Sequence, residues 1–300
     1  MNAQGLPTTI PEYLTQLRAA LKGADPAMIQ DALYDAEEYL RSELAEQAGR
    51  TEAEVIASVA GSYGAPEEVA EIYRETEVTV NRALRAPPPP KRRSSIGRFF
   101  GVAADPRTYG ALFYMLLSLI TGTFYFTWVV TGASLSVGTL ILIIGLPLLV
   151  LFFGSIRVLS LVEGRIVEAL LGQRMPRRPL YTQRDRPWLS RIGDMFTDPR
   201  TWSTMLYLLL MLPLGVVYFS VAITLLSASL SMLATPLLYF WDDSHVWVDG
   251  VSVTVSNAWA IPLVCLLGLV LLFVTLHVAR GIGQLHGWLA KQLLVRSPVV

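Results

Sequence analysis

The chain has 300 residues, 53% of them hydrophobic, and its 24 basic and 24 acidic side chains give a formal net charge of zero. That zero is a cancellation, because residues 1–85 hold 15 acidic and 7 basic side chains and the remainder holds 9 and 17. An acidic N-terminal region repels phosphate backbones, so we expect no direct binding of nucleic acid. No basic segment followed by an apolar core opens the chain, so we expect no cleaved signal peptide.

Start and stop signals predict four helices in the first 85 residues. The predicted helix starts are, in chain order, Pro11, Asp25 with Pro26, Thr51 with Glu54 three residues later, and Pro66. Glycines that favour helix ends follow the first three helices, namely Gly23, Gly49, and Gly61 with Gly64. The pattern predicts a small helical bundle over residues 1–86 that folds on its own.

Three segments of this region, 13–21, 34–40 and 61–70, resemble the HAAS signalling domain. The most specific part is the ending Gly64-Ala-Pro-Glu-Glu-Val-Ala70. The resemblance implies a small all-helical module of bacterial membrane proteins, often encoded beside PadR-type transcriptional regulators, and hence a cytoplasmic regulatory protein as partner. The alternative is a helical bundle with no signalling role.

Residues 87–97 form a predicted linker. Pro87–Pro90 favours an extended chain, and Lys91, Arg92 and Arg93 follow at once. A polybasic patch beside a span attracts anionic lipid headgroups at about 1 kcal/mol per charge. Membrane lipids are therefore expected partners, although the same residues also suit a stop-transfer flank.

The rest of the chain, 98–300, is predicted to be a membrane domain. Residues 108–156, 201–241 and 250–279 contain no acidic, lysine or arginine side chain, and a span needs about 20 residues. We predict four spans at about 110–131, 138–159, 203–226 and 258–280, with the first turn at Gly132–Val137. Basic residues cluster before the first span, between the second and third spans, and after the fourth span. Because basic loops usually remain in the cytoplasm, this pattern favours cytoplasmic termini in a multi-pass plasma (inner) membrane protein.

The membrane part contains an internal repeat. Asp105–Tyr109 (Asp-Pro-Arg-Thr-Tyr) recurs as Asp198–Trp202, and three later positions match at the same offset, Tyr114 with Tyr207, Gly122 with Gly215, and Tyr125 with Tyr218. After a shift, Phe153–Val158 aligns with Phe273–Val278. Both copies begin on the same side, so the sequence predicts a two-span hairpin used twice as a parallel repeat.

Each repeat begins with a predicted interfacial anchor. The aspartate caps the helix, the proline occupies its first turn and the arginine reaches lipid headgroups, in residues Asp105, Pro106, Arg107, Asp198, Pro199 and Arg200. The preceding segments 96–100 and 188–196 are predicted to be short interfacial helices.

The doubled Asp-Pro-Arg-Thr-aromatic motif, the Leu-rich spans and the amphipathic tails 162–172 and 282–294 resemble the bacterial four-span sensor domain. The resemblance covers residues 98–295 and implies an input module of the kind found ahead of histidine kinases.

Two sets of polar residues are candidates for chemistry. Asp249-Gly250 is a type I′ hairpin signal, flanked by the predicted strands Val246–Val248 and Val251–Val255. The acidic patch around it consists of Asp242, Asp243, His245 and Asp249. Such a patch suits a divalent-cation site, a pH switch or a solvated loop. Arg157 and His277 are intramembrane polar residues at matching places near the cytoplasmic ends of their spans. Arg157 either has a function or extends to the interface, and His277 is expected to pack, to pair with Glu163 or to carry a proton.

The sequence thus predicts an all-α protein, with a cytoplasmic helical bundle before a four-helix transmembrane domain of two parallel repeats and a small extracytoplasmic β-hairpin. Since the sequence contains no recognisable catalytic or cofactor-binding motif, we predict a non-enzymatic membrane sensor. The alternative is a subunit of a membrane transport complex, and the partners considered include a second copy of the chain in a homo-oligomer. One face of the head is acidic, with Asp31, Asp35, Glu38 and Glu46, and we expect it to dock reversibly on arginines of the central loop. Those arginines are Arg174, Arg177, Arg178, Arg184, Arg186 and Arg191. The alternative is that they only bind anionic lipid and leave the head free.

Overall fold

The computed structural model describes residues 7–47, 49–84, 94–141, 145–177, 193, 196–241, 245–248, 251–254 and 258–295. The N-terminal head consists of four helices, α1 (Ile10–Ala20), α2 (Pro26–Glu46), α3 (Glu52–Ser62) and α4 (Pro66–Leu84). Their apolar faces meet in one core whose largest fully buried side chains include Tyr13, Leu17, Leu21, Leu40 and Ile56.

Local capping explains where the head helices begin. The Thr9 side chain accepts a hydrogen bond from the Glu12 N–H, so α1 starts one residue before Pro11. The Asp25 side chain accepts from the Ala27 N–H. At α3 both halves of a capping box are present between Thr51 and Glu54. Each cap satisfies backbone donors that the first helical turn leaves without partners.

The second part of the chain begins with the short helix α5 (Ser95–Gly101) and a 3-10 turn (Val102–Ala104). Four long helices follow, α6 (Pro106–Gly138), α7 (Gly145–Leu171), α8 (Pro199–Trp241) and α9 (Ile261–Leu294). In the described residues, these four helices are long and apolar enough to cross a membrane. The chain is therefore an all-helical multi-pass membrane protein with a helical N-terminal region.

Two predicted boundaries are wrong. The first turn does not lie at Gly132–Val137, because α6 continues to Gly138. Gly132 serves packing instead, since an added Cβ would overlap the Phe152 ring of α7. Helix α8 likewise continues beyond Leu226 to Trp241, so it is longer than the predicted third span of 203–226.

After α8, strands β1 (His245–Val248) and β2 (Val251–Thr254) pair antiparallel, with His245 opposite Thr254. The predicted turn at Asp249-Gly250 lies outside the described residues. So does most of the predicted interfacial helix 188–196, whereas the predicted helix 96–100 falls within α5.

Helices α6 and α8 pack closely where each has a glycine. A Cβ on Gly122 would overlap the backbone carbonyl of Met211, and a Cβ on Gly215 would overlap the backbone carbonyl of Ser118. Backbones that approach this closely require glycine, as in small-residue packing motifs of membrane helices. Between α8 and α9, Gly268 plays a similar part, since its Cβ would lie 2.7 Å from the Met232 Cβ.

Candidate functional site

A buried polar cluster lies between the four long helices. Tyr114 and Tyr125 come from α6, Glu163 from α7, Tyr207 from α8 and His286 from α9. Each of these side chains is at most 2% exposed. Ionisable side chains among membrane-spanning helices are costly and usually functional, so this cluster is the candidate site.

The cluster is connected by short hydrogen bonds centred on Glu163 and His286. Tyr114 and Tyr207 donate to Glu163 Oε1 over 2.7 and 3.0 Å, and Tyr125 donates to Oε2 over 2.9 Å. The hydroxyls of Tyr114 and Tyr207 also lie 2.6 and 2.9 Å from His286 Nε2. Each of these two hydroxyls therefore bridges the carboxyl group and the imidazole.

A sixth residue completes the cluster. The hydroxyl of Tyr218, on α8, lies 3.3 Å from His286 Nδ1. Its ring meets the imidazole edge-on, with 5.6 Å between ring centroids. Tyr218 is only part-buried, so it forms the most accessible edge of the cluster.

Helix periodicity brings these residues to one place. On α6 the buried face includes Tyr114, Ser118, Gly122 and Tyr125, which recur at helical spacing. Tyr114 follows Pro106 by 8 residues and Glu163 precedes Leu171 by 8, so both lie about 12 Å from their helix ends. The centre of the cluster thus lies nearer to the head than to the β-hairpin, and Tyr125 contacts Glu163 from about 16.5 Å further along α6 than Tyr114.

The contacts come in matched pairs. Tyr114 and Tyr207 are 93 residues apart and bridge both central groups, and Tyr125 and Tyr218, also 93 apart, contact Glu163 and His286 respectively. Glu163 and His286 are 123 residues apart, and each is followed by glycine. An acid in one hairpin therefore faces a base in the other.

The predicted anchor residues lie at the starts of α6 and α8. Asp105 and Asp198 accept hydrogen bonds from the backbone N–H groups two residues later, over 3.1 and 3.0 Å. Pro106 and Pro199 are the first helical residues. Tyr109 donates a hydrogen bond to the Ala103 carbonyl, and Trp202 donates one to the Phe196 carbonyl. Each aromatic side chain is therefore hydrogen-bonded to the segment that precedes its helix.

The two anchor arginines have protein contacts. Arg107 lies beside Gly172, the residue with a φ of 66° that follows α7. Arg200 donates to the Gln30 side chain of the head and to the Leu294 carbonyl of α9. Arg200 therefore holds the head and the end of α9 together, a contact that the headgroup prediction did not include.

Arg157 and His277 do not occupy equivalent surroundings. Arg157 lines a small cavity of about 30 Å³ together with Asp198, Ser160 and Thr204. His277 is exposed, contacts the Phe99 carbonyl at 3.1 Å and stacks on the Phe99 ring. Its expected pairing with Glu163 is wrong, because the histidine beside Glu163 is His286.

The predicted acidic patch falls largely outside the described residues. Asp242, Asp243 and Asp249 are not described, and His245 begins β1. Among the described residues, no group of three or more His, Cys, Asp and Glu side chains could hold a metal ion. The cation-binding interpretation of this patch stays a prediction.

The head is attached to the ends of α7 and α9 through ion pairs. Arg174 pairs with Asp31 at 3.6 Å and with Glu77 at 2.9 Å, and the Arg177 N–H donates to Asp31 over 2.7 Å. Lys291 of α9 pairs with Asp25. These contacts place the acidic N-terminal half of α2 on the basic helix ends.

The junction differs in part from the predicted one. Asp31 contacts the predicted arginines, but Glu38 and Glu46 are exposed and Asp35 accepts a hydrogen bond from Tyr73 of the head. Arg178, Arg184, Arg186 and Arg191 lie outside the described residues. An apolar contact adds to the junction, since Ala27 is buried in the same core as Ala290 and Leu294.

Comparison with known families assigns both parts of the chain. A family model described as "Putative sensor" matches residues 114–294, which contain the whole polar cluster. A second model, described as HAAS, matches residues 12–72. No curated protein and no solved structure matches the chain.

Proposed function

The chain belongs to the "Putative sensor" family and carries an N-terminal HAAS domain, and from this we propose that it is a membrane signalling protein. The four spans register an envelope or lipid stimulus, and the head relays it to a cytoplasmic regulatory protein. Both matched families are sensor- and signalling-type domains, which agrees with a non-enzymatic role.

One observation carries this proposal. Helices α7 and α9, which hold Glu163 and His286, each lead at their C-terminal end to a residue that pairs with the head. Arg174 follows Glu163 by 11 residues, and Lys291 follows His286 by 5. Lys291 lies on α9 itself and Arg174 lies three residues beyond the end of α7, so a small shift of α7 against α9 alters both head contacts together.

The strength of the junction suits reversible docking. The Lys291–Asp25 pair is partly exposed on both sides, and such pairs contribute about 0–1 kcal/mol each. A modest change in the bundle can then shift the docked population without having to break a large interface.

The proposed architecture assigns residues 1–86 to the HAAS domain, 87–97 to a linker and 98–300 to the membrane domain. Within the latter we propose a parallel two-hairpin repeat, supported by the matched contacts of Gly122 with Gly215 and of Asp105 with Asp198. Arg280 pairs with Asp105 at 3.2 Å, as Arg157 borders Asp198, so the counterpart of Arg157 is Arg280 and not His277.

We expect both termini and the central loop to face the cytoplasm of a plasma (inner) membrane. Reporter proteins fused after Arg85, near Thr182 and after Val300 should be active in the cytoplasm, and one near Gly250 should be active outside, because the basic residues cluster in the first three regions. An external signal at Thr182 would contradict the four-span topology.

The proposed output partner is a PadR-type regulator or another cytoplasmic regulatory protein, and anionic lipids are proposed partners of the basic flanks. A homo-oligomer is compatible with the same architecture. The role of the head in output can be tested without knowing the partner, by reversing the charge of Arg174 and following the transcripts of the cell.

In cells lacking the native chain, Arg174→Glu should change a defined set of transcripts relative to wild type, because the head loses its pairs with Asp31 and Glu77. Adding Glu77→Arg should return the transcripts towards wild type, since the exchanged charges attract again. Arg18→Glu is the matched control, as it reverses an exposed arginine on α1, whereas the residues that pair with Arg174 lie on α2 and α4.

The outcomes discriminate the signalling role from the alternative. If Arg174→Glu reaches the membrane in normal amounts and leaves all transcripts at wild-type levels, the relay through the head is contradicted. The transport alternative gains support from the buried polar cluster, since a transporter needs polar groups inside its bundle. It predicts that deleting the chain changes solute accumulation in cells and leaves transcripts unaltered.

A further inference from the structure

We propose that the buried cluster of Tyr114, Tyr125, Glu163, Tyr207, Tyr218 and His286 is a binding site for one exchangeable proton. The inference deepens the proposed function, since it names protonation as the event that the bundle registers. Only the signalling role of protonation rests on the proposed function, because the proton site itself follows from the hydrogen bonds of the cluster.

The geometry leaves every polar atom at the centre with a partner. Both oxygens of Glu163 face tyrosine hydroxyls, and both nitrogens of His286 do the same. The partners come from all four packed helices, with Tyr114 and Tyr125 on α6 and Tyr207 and Tyr218 on α8. Such a satisfied network fixes each side chain and leaves only hydrogens free to move.

In a first arrangement, the hydroxyl, carboxyl and imidazole groups of the cluster carry five exchangeable hydrogens. The hydroxyls of Tyr114, Tyr125 and Tyr207 donate to an ionised Glu163, and that of Tyr218 donates to His286 Nδ1. The fifth hydrogen is on His286 Nε2, which donates to the oxygens of Tyr114 and Tyr207. In this arrangement the cluster carries one negative charge.

A second arrangement holds one hydrogen more on the same atoms. A proton taken up by the Tyr218 oxygen releases the original Tyr218 hydrogen to His286 Nδ1. The Nε2 hydrogen moves to the Tyr114 oxygen, and the Tyr114 hydrogen moves to Glu163 Oε1. The result is a neutral carboxylic acid, a neutral imidazole protonated on Nδ1 and four intact tyrosines, so the cluster has gained one proton and lost its charge.

The two arrangements require no side chain to leave its place. Each transfer runs along an existing contact of 2.6–3.3 Å, from Tyr218 through His286 and Tyr114 to Glu163. Tyr218 is the part-buried member and is the outermost residue of this series of contacts. The tautomer of His286 reverses during the transfer, which couples the imidazole to the carboxyl group.

The charge change has a structural consequence for the bundle. In a poorly solvated interior, gaining or losing one charge alters the attraction between neighbouring groups far more than it does in water. Glu163 belongs to α7 and His286 to α9; Lys291 of the head junction lies on α9, and Arg174 lies three residues beyond the end of α7. The proton thus acts at the point where the two helices are linked.

The test is infrared difference spectroscopy of the full chain in lipid nanodiscs, recorded at alkaline and then at acidic pH. On acidification the wild type should gain the C=O band of a protonated carboxylic acid together with a change in the imidazole bands. Glu163→Gln should lose that carboxyl band while keeping the fold, since the amide oxygen still accepts hydrogen bonds. The control Glu168→Gln, on the same helix but paired with Arg165, should keep it.

A second variant guards against misfolding of the first. Tyr125→Phe removes the donor to Glu163 Oε2, so the C=O band of the protonated acid should shift to higher frequency without disappearing. The proposal is overturned if the acid-induced carboxyl band persists unchanged in Glu163→Gln, or if Tyr125→Phe leaves it unshifted. This readout involves neither the head nor a partner, so its result is separable from that of the transcript experiment.

Discussion

Gly122→Ala is expected to destabilise the membrane bundle by about 1–3 kcal/mol, because the added methyl group must displace a backbone and not a flexible side chain. A Cβ at this position would lie 2.3 Å from the carbonyl oxygen of Met211 on α8. Titration with a denaturing detergent in mixed micelles measures the effect.

Gly154→Ala on α7 is the matched control. Nothing lies within 4 Å of its added Cβ, and alanine favours a helix over glycine by up to about 1 kcal/mol. The same chemical change should therefore be neutral or stabilising at 154 and harmful at 122. Equal effects at the two positions would contradict the close packing of α6 on α8.

The double variant Tyr114→Phe with Tyr207→Phe is expected to cost about 2–5 kcal/mol of bundle stability. It removes both hydroxyls that bridge Glu163 Oε1 and His286 Nε2, so two buried polar atoms lose these bridging partners. The ring volumes are kept, which confines the change to hydrogen bonding. Detergent unfolding again gives the measurement.

Tyr109→Phe serves as the control for that variant. Its hydroxyl donates to the Ala103 carbonyl, but the side chain is 51% exposed. Losing this single bond should cost less than about 1 kcal/mol, since the carbonyl can find another donor. A double variant no less stable than Tyr109→Phe would show that the cluster does not hold the bundle together.

The head could be predicted from sequence because its signals are local. A capping threonine and a glutamate three residues later, as at Thr51 and Glu54, define a helix start without reference to distant residues. The length of an apolar stretch predicts a span in the same way. Both rules act within a few turns of chain.

The wrong helix boundaries lie where a residue distant in sequence determines the local structure. A glycine in an apolar stretch favours a turn or a close contact, and only the presence of Phe152 opposite Gly132 distinguishes the two. The span rule likewise gives the minimum length that crosses lipid, whereas α6 and α8 continue well past it. Their extensions depend on packing against neighbouring helices.

The polar cluster was visible only in part. Tyr114, Tyr207, Tyr125 and Tyr218 stood out as repeated positions, but an aromatic pair at matching places equally suits plain packing. Glu163 and His286 belong to amphipathic tails in which charged residues are ordinary. Choosing His286 over His277 as the partner of Glu163 needs the relative rotation of α7 and α9, which sequence spacing does not contain.

The contact between the head and the membrane helices could likewise be predicted only in part. Opposite net charges predicted that α2 meets the basic loop, and Asp31 does so. Glu38 lies on the same helical face two turns later, about 10.5 Å along the axis, and is exposed. Charge alone could not place the contact along the helix, because the apolar contact of Ala27 with Ala290 helps to fix the position.

The central claim is that the state of the polar cluster controls docking of the head. The most direct measurement is the distance between spin labels on exposed cysteines at Lys22 of the head and Gln292 of α9, in a Cys265→Ala background and in nanodiscs. We predict one short distance for the otherwise wild-type chain and a second, longer population in Tyr114→Phe with Tyr207→Phe. The same single distance in both proteins, at both acidic and alkaline pH, would contradict the claim.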